Sequence, residues 1–284
     1  MPKIAKILLV LVLLLIIGAA FVITWRIYFP QKEEQGKTSQ ILPQIKTNRQ
    51  SEDNFKFAVC GDPHSNWTVY QKVLKSAEQK GIKFLVNLGD LTRVGAGSEY
   101  YEGKKIMAEF DYPIYLLMGG HDLVGQGEKW YHKYFGEDYG SFNQGKAHFI
   151  FLNNADQKLG IPQEQLKWLD SDLAQNDLPL VFVFLHQPIG FPYASPKTVG
   201  YLTTQSQESA QDLIGILKRY PVKTVFAGHL HTYLPYEFEG ISVIITGGAG
   251  GPLYQVPFLE ETPFHYVLVN VEGEQFDSEM VEIK

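Results

Sequence analysis

The sequence predicts an α/β domain in which two mixed β-sheets pack face to face with helices outside, preceded by one transmembrane helix. Three observations carry this expectation. Short apolar runs alternate with helix-length segments from Phe55 to Ala227, which implies βαβ units and a largely parallel sheet. Four further strand-like segments then follow with no helix between them, which implies an antiparallel portion. An uncharged apolar run, Ile7 to Thr24, stands ahead of all this and is long enough to cross a bilayer as a helix.

Taken in order, Lys3 and Lys6 precede the apolar run, and Trp25 and Tyr28 follow it as interfacial aromatics do. Gly18-Ala19-Ala20 offers the competing reading of a cleaved signal peptide, but the apolar run continues through Phe21, Val22 and Ile23. Residues 1–30 are therefore assigned to a signal anchor. Gln31 to Asn54 is polar, without sustained period, and reads as a linker. The globular domain is expected from residue 55 to 284, enough chain for a single core.

Within that domain, Phe55–Cys60 is a strand, and Asn66 is placed to cap a helix running to Lys80. Ile82–Leu88 is a strand, Gly97–Phe110 a helix and Pro113–Met118 a strand. Ala147–Leu152 is another strand, and Pro162 opens a helix through Gln175. Leu180–Leu185 is a strand, Gln207–Tyr220 a helix and Val222–Ala227 a strand. The closing strands are Tyr233–Phe238, Ile241–Thr246, His265–Val271 and Gln275–Ile283.

The 284 residues carry a formal charge of −6, which argues against nonspecific nucleic-acid binding. A single cysteine, Cys60, excludes an intrachain disulfide framework and a cysteine zinc cluster. It ends an apolar strand and is expected to be a buried structural thiol.

The chemistry lies in five clusters that each follow a strand: Gly61-Asp62-Pro63-His64, Leu88-Gly89-Asp90, Gly119-Gly120-His121-Asp122, Leu185-His186-Gln187-Pro188 and Gly228-His229-Leu230-His231. Residues just beyond parallel strands gather at the carboxyl edge of the sheet, where open α/β folds bind ligands. Carboxylate and imidazole donors suit zinc, iron or manganese. Any one cluster alone is a weak signal; their joint succession after strands is a strong one.

That succession resembles the calcineurin-like metallophosphoesterase superfamily, whose pattern runs D-x-H, G-D, G-N-H-[DE], a lone H and G-H-x-H, here over Phe55 to about Pro252. The resemblance implies a four-layer αββα sandwich and a binuclear centre of manganese, iron or zinc. Asp62, His64 and His231 would hold one ion, His186 and His229 the other, and Asp90 would bridge them. His121 matches the histidine near the leaving group, and Asp122 the acidic residue that orients it. The implied activity is hydrolysis of a phosphate mono- or diester by metal-activated hydroxide; separately, the N-terminal apolar run is expected to act as an export signal, giving a single-pass membrane protein with an extracytoplasmic catalytic domain.

One departure bears on this. Gly120 stands where the family has an asparagine whose amide oxygen ligates the second metal. Weaker occupancy of that site is expected, with Asn66, Asn87 and Asn153 as candidate substitutes. The departure also keeps open a noncatalytic binding or scaffold module of the same fold. A mononuclear oxidoreductase with two histidines and one carboxylate leaves the surplus ligands unexplained. Arg93 replaces the tyrosine of purple acid phosphatases and suits either a phosphate contact or a surface carboxylate. Phe191, Tyr193 and Tyr201 could line a pocket or pack within their loop, and His132, His148 and His265 have no partner pattern.

Overall fold

In the computed structural model, residues 52–191, 200–254 and 261–284 are described. The apolar run Ile7–Thr24, nearly all of the linker, and Tyr193 lie outside them. Among the described residues no helix is long and apolar enough to cross a membrane.

Eleven strands form two mixed sheets among the described residues. The first has five strands in the order β11-β10-β1-β2-β3, and the second six in the order β4-β5-β6-β7-β9-β8. In the first, β1 (Asn54–Cys60), β2 (Phe84–Asn87) and β3 (Ile114–Leu116) run parallel. Strand β10 (His265–Glu272) pairs antiparallel with β1 and with β11 (Gln275–Glu282). In the second, β5 (Ala147–Phe151), β6 (Leu180–Leu185), β7 (Val222–Ala227) and β9 (Ile241–Thr246) are parallel. Antiparallel β4 (Gly140–Gln144) and β8 (Tyr233–Phe238) close its edges. The expected antiparallel ending is thus divided between the two sheets.

Alternation along β1 shows how the layers are made. Phe55, Phe57 and Val59 face the second sheet and join Phe149, Phe182, Phe184 and Phe226 in one apolar layer. Phe57 stacks on Phe84 at 5.2 Å and meets Phe149 edge-on at 5.3 Å. Ala58 and Cys60 point the other way, against Tyr70, Val73 and Leu74 of α1 (Trp67–Gln79) and Tyr100 and Ile106 of α2 (Gly97–Met107). On the far face of the second sheet, Val181, Val183 and Leu185 pack with Leu166 and Leu169 of α4 (Gln163–Gln175) and Leu213 and Ile214 of α5 (Thr204–Leu217). Burial on both faces is why β6 reads as an unbroken apolar run. Cys60 is fully buried, and that burial pushes its thiol up.

Boundaries shift for local reasons. Pro162 is the extended N-cap of α4 rather than a residue of its first turn. Helix α5 starts at Thr204 because the Thr203 hydroxyl accepts from Ser206 N–H, a cap that lies upstream of the predicted start. Besides a single 3-10 turn at His121–Leu123, two described elements have no counterpart in the predicted order. Helix α3 (Gly127–Phe135) buries Tyr131, Tyr134 and Phe135, and β4 is an edge strand whose one buried residue is Phe142.

Candidate metal centre

The carboxyl ends of β1, β2, β3, β6 and β7 deliver all five motif loops to one place. Asp62, His64, Ser65, Asp90 and His229 have positive φ, between 48° and 67°. This left-handed backbone costs most residues about 1–2 kcal/mol but is entered more readily by Asp and His. It curls the loops tightly enough to turn neighbouring side chains into a common space.

Three groups of donors lie within 4.8 Å of one another: Asp62, His64 and His231; Asp62, Asp90 and His186; and His64, Asp90 and His121. Asp90 sits between two histidines, its Oδ2 being 3.3 Å from His64 Nε2 and 3.5 Å from His186 Nε2. His231 Nε2 lies 3.6 Å from Asp62 Oδ1. The other ring nitrogen is held by backbone: His186 Nδ1 bonds the Leu88 carbonyl at 2.9 Å, and His231 Nδ1 the Pro252 carbonyl at 2.7 Å. Carbonyls only accept, so Nδ1 carries the proton and Nε2 turns to the cluster, the usual orientation of a metal-ligating histidine. His229 falls outside the three groups. Its ring packs on that of His186 at 5.3 Å, and its N–H donates to both Asp62 oxygens at 3.1 and 3.0 Å.

These residues fit a cation. Buried His64 Nε2 and His186 Nε2 have no hydrogen-bond partner, a state that buried polar atoms rarely keep. Two buried carboxylates also lie among them. Burial alone would raise the Asp90 carboxyl, but the imidazoles of His186 and His64 outweigh it and hold Asp90 well below the usual carboxylate range. Burial pulls His186 down, yet Asp90, with help from Asp62 and the Leu88 carbonyl, carries it up to about 9. His229 goes the other way, to about 4, through burial and the adjacent His186 charge.

His121 stands at the exposed side of the cluster, its ring 4.4 Å from that of His64. Its N–H donates to Asp90 Oδ1 at 2.8 Å, and its Nδ1 bonds the Arg93 carbonyl at 2.7 Å. The expectation that Asp122 orients His121 is corrected here. The buried Asp122 carboxylate instead accepts from Leu91 N–H, Thr92 N–H, the Thr92 hydroxyl and Gly119 N–H at 2.7–3.1 Å. It welds the loop after β2 to the loop after β3, and the first of these then presents the Arg93 carbonyl. Burial and the nearby Asp90 charge push Asp122 upward, against its hydrogen bonds from Thr92 and Gly119. Glu99 completes the support, accepting from Arg93, Val94 and Ala96 N–H.

The three asparagines considered as substitutes for the missing amide are engaged elsewhere. Asn66 accepts from Val69 N–H as the cap of α1 and donates to the Gly250 carbonyl. Asn87 donates to the Tyr70 hydroxyl and accepts from Gly89 N–H. Asn153 donates to Asp138 and accepts from Ala155 N–H. The remaining histidines are structural: His148 bridges Asn143 and Asp172, His132 bonds the Gly136 carbonyl and His265 the Pro263 carbonyl. Tyr201 is buried, its hydroxyl donating to the Gln187 carbonyl, so it packs within its loop.

The cluster opens into a cavity of about 500 Å³ lined by Asp90, His121, His229 and His231 on one side. Leu123, Val124, Leu202 and Tyr254 form an apolar rim, with Lys158 beside them. Tyr254 stacks on His231 at 4.7 Å with ring planes 3° apart. No sequence motif announces this rim, because its residues come from three separated loops.

Fold and site together define an α/β protein with a His/Asp donor cluster that could hold metal ions. The chain belongs to the calcineurin-like phosphoesterase family, whose model matches residues 55–233. It is 25% identical over 175 residues to a protein of Fibrobacter succinogenes named probable cyclic nucleotide phosphodiesterase, a match covering 60% of this chain and 66% of that one. It is 24% identical over 190 residues to the 3',5'-cyclic adenosine monophosphate phosphodiesterase of Haemophilus influenzae, covering 62% and 65%. The matches thus span slightly less than two thirds of these relatives' lengths. A purple acid phosphatase from yellow lupin seeds shares the fold, with a TM-score of 0.66 at 15% identity over 82% of this chain and 52% of the lupin chain.

Proposed function

We propose that this chain is a metal-dependent phosphoesterase that hydrolyses a phosphate mono- or diester at a binuclear centre in a four-layer αββα sandwich. The observation that carries the reading is the convergence of Asp62, Asp90, His64, His186 and His231, with imidazole nitrogens left unpartnered beside the shared Asp90 carboxylate. Asp62, His64 and His231 would hold one cation; His186 and His229 would hold the other, with Asp90 between. Bound there, cations of the manganese, iron or zinc class would neutralise phosphoryl charge and acidify water.

The chain's own residues supply the rest. His121, its Nδ1 proton fixed on the Arg93 carbonyl, keeps Nε2 toward the cluster. Carrying a second proton on Nε2, it donates that Nε2 proton to the departing ester oxygen. The apolar rim receives the organic group of the ester, and Lys158 offers a charge to a second phosphate oxygen. The names of the curated relatives support a diester with a bulky organic group.

A panel of phosphomonoesters, diesters and nucleotides, assayed after removal of metal and reloading with manganese, zinc or iron, tests this. Hydrolysis is expected only after reloading. Tight metal uptake with no hydrolysis of any ester would instead favour the noncatalytic module that Gly120 keeps in view.

The placement we propose is a domain tethered outside the cell membrane by residues 1–30. It is supported by the uncharged run Ile7–Thr24 and the polar stretch after it. Protease added to intact cells is expected to cut that stretch and release an active soluble domain. Protection until the membrane is breached would reverse the orientation, and recovery of uncut protein in the soluble fraction would remove the tether.

A further inference from the structure

Nothing in the backbone at Gly120 calls for glycine. Its φ of −62° and ψ of −37° are right-handed helical, a conformation open to every residue. A Cβ built there meets nothing nearer than the Ala155 carbonyl oxygen and Gln157 Nε2, both at 3.8 Å. The space a side chain at 120 would enter is therefore bounded by the Gln157 amide. Gln157 and Gly120 line the same cavity as Asp90, His121, His229 and His231.

Two other amides near that loop are tied down. Gln187 Nε2 donates to the Ala155 carbonyl at 3.0 Å, and the Asn154 side chain bonds His186 N–H, Gln187 N–H and the Gln187 carbonyl. Among the described residues no hydrogen bond engages the Gln157 amide. Its backbone, in contrast, is held. Leu202 N–H donates to the Gln157 carbonyl at 2.9 Å, and Asp156 Oδ1 accepts from Lys158 and Leu159 N–H at 2.7 and 3.0 Å. A fixed loop thus presents one unengaged amide to the cavity beside the donor cluster. Rotating that amide by half a turn exchanges Nε2 for Oε1, and a neutral amide oxygen is a donor that manganese-class cations accept.

We propose that Gln157, from the loop after β5, supplies the neutral oxygen ligand on the cavity side of the cation held by Asp90, His186 and His229. This rests on the binuclear reading above. It means that the amide missing from position 120 is replaced from a different element rather than lost.

The test is calorimetric titration of the metal-free full-length protein with manganese, together with metal analysis, for the native chain, Gln157→Ala, Gly120→Asn and the double variant. Two unequal sites are expected in the native chain. Gln157→Ala should weaken the weaker site by about tenfold or more, as lost support of a metal site does, and leave the tighter one unchanged. Adding Gly120→Asn to Gln157→Ala should restore the affinity, which a merely structural role of Gln157 does not foresee. Unchanged affinities in Gln157→Ala would overturn the proposal, and a raised KM alongside them would make Gln157 a substrate contact instead. A native chain that takes up one cation or none would sink the binuclear reading itself.

Discussion

His121→Ala is expected to slow hydrolysis of an ester with a poor leaving group by roughly 10²–10⁴-fold, the usual worth of a positioned proton donor. Metal content should stay at the native level. The division follows from geometry. His121 is the exposed donor of its group, and its backbone N–H, which the substitution keeps, makes the 2.8 Å bond to Asp90. A leaving group that departs without a proton, such as a nitrophenolate, should show a much smaller loss. The comparison of the two esters is therefore the measurement. Equal loss on both, or loss of metal together with activity, would show that His121 acts as a ligand and not as a proton donor.

Gly119→Ala is expected to dismantle the centre, whereas Gly120→Ala should be nearly silent in stability. A Cβ at 119 would stand 2.2 Å from Asp90 Oδ1 and 2.4 Å from Asp90 N, and backbone cannot yield as a flexible side chain does. Forcing atoms into a packed site typically costs about 1–3 kcal/mol, and here the displaced group is the Asp90 carboxylate at the middle of the donor cluster. At 120 the same methyl group meets open space out to 3.8 Å. Metal content and thermal denaturation of the two variants give the comparison. Native metal content in Gly119→Ala would show that Asp90 can relocate without harm, contrary to the packing described above. The adjacent glycines look equivalent in sequence, and only the fold tells them apart.

That contrast indicates what the sequence makes legible. Strand β6 is evident because it is buried on both faces and so is written as an unbroken apolar run, and β1 and β7 are evident because each ends in one, Phe57–Cys60 and Val225–Ala227. The Asp and His residues after them are legible for the same reason, since the end of such a run marks the sheet's carboxyl edge. Helix α3 is harder to read. Its Tyr131, Tyr134 and Phe135 have helical spacing, but a nine-residue, aromatic-rich helix carries little propensity signal. Strand β4 buries only Phe142 and takes its identity from pairing with β5. Asp122 was legible as an acidic neighbour of His121 but not as the acceptor for Leu91 and Thr92, because that bond joins loops about thirty residues apart. Gln157 carries no motif at all; it becomes visible only once the fold sets its amide at the border of the space beside Gly120.

The family match ends at residue 233, yet the chain beyond it is woven into the centre. Strand β10 lies between β1 and β11 inside the first sheet. Ala249 N–H donates to the Gly61 carbonyl at 3.0 Å, Gly251 N–H to the Asp62 carbonyl at 2.7 Å, and the Pro252 carbonyl holds His231. A polypeptide ended at Tyr233 would keep every motif residue while leaving β1 with a bare edge and His231 without its anchor. The segment that the family model covers and the segment that builds the sheet and the site therefore have different ends. Shuffling or trimming guided by the first would cut through the second.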